Sequence, residues 1–187
     1  FFLSEIQPEA AKLPETFDLR DKMTSVDRQW WGTCTAVAVD GVKEFLDKRE
    51  YSREIKLSQK FLYNVMKQKV SELKDIEGDY IKNALKTVCK YGICLEKTFP
   101  NTKRLTWKQY VSEEPPEEAF IEAEKFKGKT YWAVGRTLDD FRQAIYQQKA
   151  PVIFSMLWYK SYNKPYPDGK LPLPDKQVGG HALACCG

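Results

Sequence analysis

The sequence of 187 residues predicts an α+β fold, in which a helical first part is followed by a β-sheet part. Three observations lead to this prediction. Apolar residues recur at helical spacing in three segments before residue 92. Beyond residue 128, apolar residues form short runs rich in β-branched and aromatic side chains, as strands do. Residues 97–118 hold three prolines and show no clear period, which indicates a surface crossover between the two parts.

Composition narrows the class of protein. With 42% hydrophobic residues, the chain can bury one substantial core or two lobes that share a cleft. The 30 basic and 26 acidic residues are mixed along the chain, so we expect no nucleic-acid partner. No apolar run approaches the roughly 20 residues of a membrane helix, so we expect no membrane partner. The compartment stays open, since secretion, a periplasm or a lysosome-like compartment would each fit.

Three helices are predicted in the first part. The first covers Val37 to Lys48, and Gly41 within it is interpreted as a close-packing position. The second begins at Ser58, which has the side chain of a helix cap. The third runs from about Tyr80 to Tyr91 and ends at Gly92.

The second part is predicted to alternate between strands and one longer helix. After a short exposed helix over residues 117–125, Lys129 to Val134 form the first predicted strand. Thr137 then caps a helix, and Pro151 to Met156 form the second strand. A loop rich in Tyr, Pro and Gly, from Trp158 to Pro174, leads to a last strand that contains His181. The residues expected on the inner face of the helix are Leu138, Phe141, Ala144 and Ile145.

Cys34 is the candidate nucleophile. It stands where a turn containing Gly32 meets the first helix, so the positive end of the helix dipole favours the thiolate. A nucleophilic Cys needs a base, and the chain has a single histidine, His181. Cys34 begins a helix of the first predicted lobe, and His181 begins a strand of the second. We therefore expect the two side chains to meet in the cleft between the lobes.

The other cysteines do not form a disulfide framework in a chain of this length. A bridge between Cys89 and Cys94, across the turn between them, is one alternative. Cys185 and Cys186 are interpreted as small buried hydrophobic residues. One histidine and the absence of a Cys-x-x-Cys pair argue against a metal site, and we expect no cofactor.

Four motifs resemble those of the papain-like cysteine peptidases of the C1 family. Gly32-Thr33-Cys34-Thr35-Ala36 is similar to the Gly-Ser-Cys-Thr-Ala nucleophile motif of the bacterial-type branch. Leu13 to Arg20 resembles the segment before that motif, Glu77 to Tyr80 the Gly-rich substrate-binding edge, and Val178 to Ala182 the His strand. His181 lies 147 residues beyond Cys34, within the family's spacing of roughly 130 to 150.

The resemblance covers residues 13–187 in the family's order and implies one domain with a two-lobed papain-like fold. The helical lobe would take about residues 13–115 and the β lobe about residues 116–187, with the active site in the cleft between them. The implied activity is peptide-bond hydrolysis through an acyl-enzyme. The implied partner is a peptide or protein substrate, and a propeptide or an inhibitor would fit the same cleft.

The resemblance also implies roles for individual residues. Cys34 would attack as a thiolate, with His181 as acid and base. The backbone N–H of Cys34 and a side-chain amide would stabilise the oxyanion. The family places its Gln about six residues before the Cys, where this chain has Arg28. Gln29 follows directly and carries the amide, so it is the favoured donor and Arg28 is the alternative. The residues expected to bind substrate are Gly78, Asp79, Ser155, Met156 and Gly180.

Two features leave alternatives open. The family orients its His with a later Asn, but no Asn follows His181, so we expect that Asn and the missing sheet strands in a longer C-terminus. The Gly78 and Asp79 segment can equally be a helix-capping turn. The same scaffold could instead transfer the acyl group to an amine or thiol, or serve as a non-catalytic binding domain.

Overall fold

The computed structural model describes residues 12–101 and 106–187. Six α-helices and one two-stranded antiparallel sheet form over these residues, so the prediction of an α+β fold is confirmed. No helix in these two ranges is both long enough and apolar enough to cross a membrane. The elements are α1 (Cys34–Tyr51), α2 (Gln59–Lys69), α3 (Ile81–Tyr91), α4 (Trp107–Ser112), α5 (Glu117–Ala123), α6 (Leu138–Gln148), β1 (Val152–Tyr159) and β2 (Gln177–Cys185).

Helix α1 is longer at both ends than predicted, and it begins at Cys34 itself. The interpretation of Gly41 as a close-packing position is wrong, because a Cβ at this position would meet no atom within 4 Å. Helix α2 begins at the predicted cap, where the Ser58 hydroxyl accepts a hydrogen bond from Phe61 N at 3.0 Å. Gly92 ends α3 with φ of +78°, and a Cβ there would lie 1.8 Å from the carbonyl oxygen of Ala123. Only glycine fits this position.

The main core lies between α1, α2, α3 and α5. Its residues include Ala36 and Val39 from α1, Phe61, Leu62, Val65 and Met66 from α2, Ala84 and Val88 from α3, and Ala119 and Ala123 from α5. The helix predicted as exposed at residues 117–125 is therefore buried on one face, while Ile121 on its other face is exposed. Helix α5 packs with the helices of the first part of the chain.

Strands β1 and β2 pair in antiparallel register, with Met156 opposite His181 and Val152 opposite Cys185. A second, smaller cluster forms beneath the ends of these strands around Leu19, Phe45 and Ile145. The N-terminal segment is tied to this region, because Leu19 N donates to Cys186 O at 2.8 Å.

Three predictions about the second part were wrong. Lys129 to Val134 form no strand in the described chain, because a strand needs a paired edge and β1 pairs only with β2 here. Leu138 is 75% exposed, since it is the first helical residue after the Thr137 cap, whereas Ile145 is buried as expected. Helix α4 lies within the segment predicted as a crossover, where Thr106 and Gln109 form a capping box.

All five cysteines are free thiols. The alternative of a bridge between Cys89 and Cys94 is therefore excluded in this structure. Cys185 and Cys186 are half-buried against the second cluster, not fully buried as expected. Cys94 is the fully buried one.

Candidate active site

Cys34 is the first residue of α1 and follows a tight turn. Trp31 in this turn has φ of +56°, which is a strained conformation for a side chain of this size. Two side chains hold the turn from within. The Gln29 amide nitrogen donates to Trp31 O at 3.0 Å, and the Thr33 hydroxyl donates to Trp30 O at 2.7 Å. These two hydrogen bonds thus hold the turn in the conformation that strains Trp31.

The same turn lies directly against the segment that precedes α3. Gly32 N donates to the Glu77 carboxylate at 3.1 Å. A Cβ on Gly32 would lie 2.7 Å from Gly78 N, closer than side-chain carbons approach backbone. The structure therefore brings together two motifs that are 45 residues apart in the sequence.

His181 lies in β2 on the same face as Met156, because directly opposed residues of an antiparallel pair share a face. Its ring is half-buried, and the ring centroid is 4.6 Å from that of Trp158. Burial lowers the pKa of His181 below its ordinary value of 6.5. The neutral imidazole is therefore the favoured form near pH 7.

Helix α1 packs against β2, so the helix that begins at Cys34 and the strand that carries His181 are neighbours. No hydrogen bond joins the Cys34 thiol to the His181 ring among the described residues. Gln29, the predicted oxyanion donor, is exposed and bonds Trp31 O with one of its two amide hydrogens. Arg28, the alternative donor, stacks its guanidinium over the Trp30 ring at 4.3 Å.

The predicted substrate-binding edge is engaged within the protein. Gly78 N donates to the Tyr63 hydroxyl at 3.2 Å, and Gly78 O accepts from Lys67 Nζ at 2.6 Å. The Asp79 side chain is fully buried, and its Oδ1 accepts from Tyr80 N and from the Asn83 amide. The Asp79 carboxylate is therefore occupied with structure at the start of α3.

The remaining predicted residues lie on both faces of the sheet. Met156 shares the face of His181, while Ser155 points to the opposite face because strand side chains alternate. Gly180 is exposed, and a Cβ there would meet nothing closer than Met156 O at 4.0 Å. The structure thus brings Met156, but not Ser155, to the His181 side.

A group of carboxylates lies farther along α1. Asp27, Asp40 and Glu44 bring oxygens within 4.8 Å of one another, and Lys56 Nζ lies 2.8 Å from Asp27 and 3.1 Å from Glu44. Asp40 is 1% exposed, and neither of its oxygens has a hydrogen bond. Burial, and then the nearby charge of Glu44, raise the pKa of Asp40 well above its ordinary value. One lysine cannot neutralise all three carboxylates, so the Asp40 side chain is held as the neutral acid.

A cavity of about 540 Å³ is not part of this site. It lies between Phe17, Leu19, Phe45 and Arg49, at the end of α1 opposite to Cys34. The sequence analysis gave no individual role to three residues that support the site, namely Tyr63, Lys67 and Glu77, although Glu77 lies within the recognised Glu77 to Tyr80 motif. Glu77 stands beside the recognised Gly78, which was the available signal, whereas nothing near Lys67 distinguishes it from a surface lysine.

Comparison with known proteins bears on this arrangement. No family model matches the chain. The structure is similar to xylellain, a cysteine protease from Xylella fastidiosa, with a TM-score of 0.82 and 25% identity over 97% of this chain and 74% of that one. It is also similar to digestive procathepsin L 3 of Tenebrio molitor larval midgut, with a TM-score of 0.70 and 15% identity over 96% and 57% of the chains.

The fold is thus that of the papain-like cysteine peptidases of the C1 type, with a partial sheet. In sequence, the chain is related to an uncharacterized peptidase C1-like protein of Acanthamoeba polyphaga mimivirus, with 25% identity over 193 residues. The match covers 91% of this chain and 60% of the viral protein, so the chain spans less than two thirds of that relative.

Proposed function

We propose that the protein is a cysteine peptidase that hydrolyses peptide bonds, with Cys34 as nucleophile and His181 as acid and base. The observation that carries this proposal is the position of Cys34 at the start of α1, in a strained turn beside the Glu77 and Gly78 edge. A thiol at a helix start receives the positive end of the helix dipole, which favours thiolate. The relationship to papain-like cysteine proteases supports the same reaction.

The lengths of α1 and β2 support the pairing of Cys34 with His181. Phe45 of α1 belongs to the second cluster, and Cys185 of β2 packs against that cluster. From Phe45 back to Cys34 is about 16 Å along a helix. From Cys185 back to His181 is about 13 Å along a strand. If the two elements run side by side in the same direction, these lengths would bring the thiol and the imidazole to similar levels.

The reaction follows from these groups. His181 takes the thiol proton of Cys34 as Sγ attacks the substrate carbonyl carbon, and it then gives that proton to the departing amine as the C–N bond breaks. A thioester between Cys34 and the acyl part of the substrate remains. Water then attacks the thioester carbonyl while His181 takes its proton, and the C–S bond breaks to release a carboxylic acid.

The oxyanion would be stabilised at the turn. The Cys34 N–H is the first of the helix and has no partner inside α1. The second hydrogen of the Gln29 amide, which Trp31 O does not use, supplies the other donor. Arg28 is the less favoured donor, since its guanidinium already lies over Trp30.

A peptide substrate would lie between the two edges of the cleft. On one side, the second lone pair of Gly78 O and the backbone of Asp79 offer hydrogen bonds to an extended peptide. On the other side, the open space at Gly180 gives a substrate backbone room to approach, and Met156 lies beside it. Similarity to a procathepsin also supports a propeptide segment as an occupant of this cleft.

The test is the mass of the intact protein after incubation with a peptidyl epoxide, together with hydrolysis of a fluorogenic peptide. We expect one adduct, on Cys34, and none in the Cys34→Ala variant. Because general acid–base catalysis contributes about 10²- to 10⁴-fold, His181→Ala should slow hydrolysis by at least 100-fold. Equal labelling of several cysteines, or unchanged hydrolysis by His181→Ala, would overturn the proposal.

A further inference from the structure

Lys67 has an unusual environment for a lysine. Its side chain is 1% exposed, near the end of α2, and its ammonium donates to three backbone carbonyls. The acceptors are Leu73 O at 2.6 Å, Ile76 O at 2.7 Å and Gly78 O at 2.6 Å. An ammonium has three hydrogens, so these bonds use all of them.

The charge of Lys67 is balanced by Asp79. Asp79 Oδ2 lies 3.3 Å from Lys67 Nζ and has no hydrogen bond of its own, because the ammonium hydrogens all point at carbonyls. Both side chains are buried, so the attraction between them acts without screening by solvent. The ion pair and the three hydrogen bonds together hold residues 73–79 to α2.

Residues 73–79 have little apolar packing of their own. Lys74, Asp75 and Glu77 are exposed, and so is Ile76, while Leu73 is half-buried. A segment with few buried apolar contacts opens easily unless other interactions hold it. Lys67 supplies the interactions that fix its path.

This segment in turn contacts the turn that precedes Cys34. Glu77 accepts the hydrogen bond from Gly32 N at 3.1 Å, and Gly78 lies against the Cα of Gly32. Cys34 is two residues beyond Gly32. A shift of residues 77–78 would therefore change both the substrate-binding edge and the position of the Cys34 backbone N–H.

We propose that Lys67 is a positioning residue, which sets the geometry of the Cys34 turn and of the substrate-binding edge through residues 73–79. This inference rests on the proposed peptidase function. Lys67 itself touches neither the substrate nor the reacting atoms. Its action passes through Gly78 O and then through the hydrogen bond between Glu77 and Gly32.

Lys60 offers a matched control on the same helix. Its side chain is 2% exposed, and its ammonium bonds Glu113 at 2.7 Å and lies 4.6 Å from the Phe99 ring centroid. Lys60 is thus as buried as Lys67, and it is also paired with a carboxylate. It acts on a different segment, at Glu113.

The experiment compares Lys67→Arg, Lys60→Arg and Glu77→Ala with the wild-type protein. Arginine keeps the charge, but its planar fork cannot direct three N–H groups at the convergent carbonyls. Glu77 is exposed, so Glu77→Ala breaks the link to Gly32 without disturbing the core. The rates measured are those of Cys34 alkylation by a peptidyl epoxide and by iodoacetamide, together with Tm and amide hydrogen exchange.

We expect Lys67→Arg and Glu77→Ala to slow alkylation of Cys34 by the peptidyl epoxide about 10-fold or more, and alkylation by iodoacetamide much less. The peptidyl reagent must be oriented in the site, and small misplacements of the site impair oriented reactions. Lys60→Arg should change either rate by less than about 2-fold, even if its Tm falls equally. Of the two lysine variants, only Lys67→Arg should speed exchange at the amides of Gly32 and Gly78. Glu77→Ala should speed exchange at Gly32, because it removes the acceptor of that N–H. Similar losses in both lysine variants, or no change in Glu77→Ala, would overturn the inference.

The two proposals fail in different ways. If the peptidyl epoxide does not label Cys34 of the wild-type protein, the peptidase function is wrong, and hydrogen exchange at Gly32 still reports whether Lys67 fixes the turn. If wild-type labelling is selective but Lys67→Arg leaves both labelling and exchange unchanged, the peptidase function stands and the role of Lys67 is wrong.

Discussion

Gly32 lies against Gly78 with no room for a side chain on Gly32, since a Cβ there would be 2.7 Å from Gly78 N. One glycine belongs to the turn before Cys34 and the other to the predicted substrate-binding edge. Their contact makes the turn and the edge a single packed unit. Any atom inserted between them must displace backbone on one side.

The first prediction concerns this contact. Gly32→Ala should destabilise the protein by about 1–3 kcal/mol, because the added methyl group overpacks against backbone. It should also reduce labelling of Cys34 by a peptidyl epoxide about 10-fold. Gly41→Ala, in the middle of α1, is the control. It meets nothing within 4 Å and should stabilise the protein by about 0.5–1 kcal/mol, with labelling unchanged. Urea unfolding and intact mass measure both effects, and equal stability of the two variants would contradict the prediction.

The second prediction concerns His181, whose signal in a proton NMR titration is unambiguous because it is the single histidine of the chain. In a Cys34→Ala background, its midpoint should lie below 6.5, because burial disfavours the imidazolium. Between that midpoint and pH 6.5, the unfolded chain binds a proton that the folded chain does not. The contribution of His181 to the free energy of unfolding therefore falls as the pH falls from 6.5 to the folded midpoint. Trp158→Ala should move the midpoint up towards 6.5 by exposing the ring. A folded midpoint equal to that of the urea-unfolded protein would show that burial has no effect.

The third prediction concerns the neutral acid at Asp40. Its pKa is raised in the folded state, so its contribution to stability is fully present below pH 4 and is lost as the pH rises through the folded pKa. Asp40→Asn cannot ionise. The difference in free energy of unfolding between Asp40→Asn and the wild type should therefore shift in favour of the variant as the pH rises from 4, by at most about 1.4 kcal/mol per pH unit. Urea unfolding at pH 4, 6 and 8 measures this. The prediction is refuted if the wild type becomes more stable relative to Asp40→Asn as the pH rises.

The fourth prediction concerns the order in which thiols react. Burial raises the pKa of Cys94 to about 12, so almost none of it is thiolate at pH 8. Burial also raises the pKa of Cys89 and of Cys186. In a timed reaction with iodoacetamide, Cys34 should react first and Cys94 only after unfolding in urea. Peptide mapping follows each site, and early modification of Cys94 in the folded protein would contradict this structure.

Local signals explain which parts of the fold the sequence predicts well. Ser58 and Thr137 cap their helices as expected, because a cap is a contact between residues three apart. Residues 129–134 have strand-forming side chains but no strand, because pairing depends on what lies beside them. Gly41 shows the same limit, since spacing places it in a helix but does not reveal what faces it.

The order of motifs along the chain predicts which residues form the candidate site. It does not predict the long-range contacts that support them. The motifs around Cys34, Gly78 and His181 are each continuous in sequence, so they can be found one at a time. The bond between Gly32 and Glu77 joins residues 45 positions apart. The sequence around Lys67 has the composition of an ordinary polar helix end. Only the folded path of residues 73–79 surrounds this side chain with carbonyls.

Helix α1 contributes to both apolar clusters, through Ala36 and Val39 in one and Phe45 in the other. At its far end, the Arg49 guanidinium also donates to the last carbonyls of α6, Gln148 O and Lys149 O. The two clusters therefore share one rigid helix, so their relative position is set when the chain folds. We therefore expect adjustments of shape to come from residues 160–176, since Lys67 holds residues 73–79 in place.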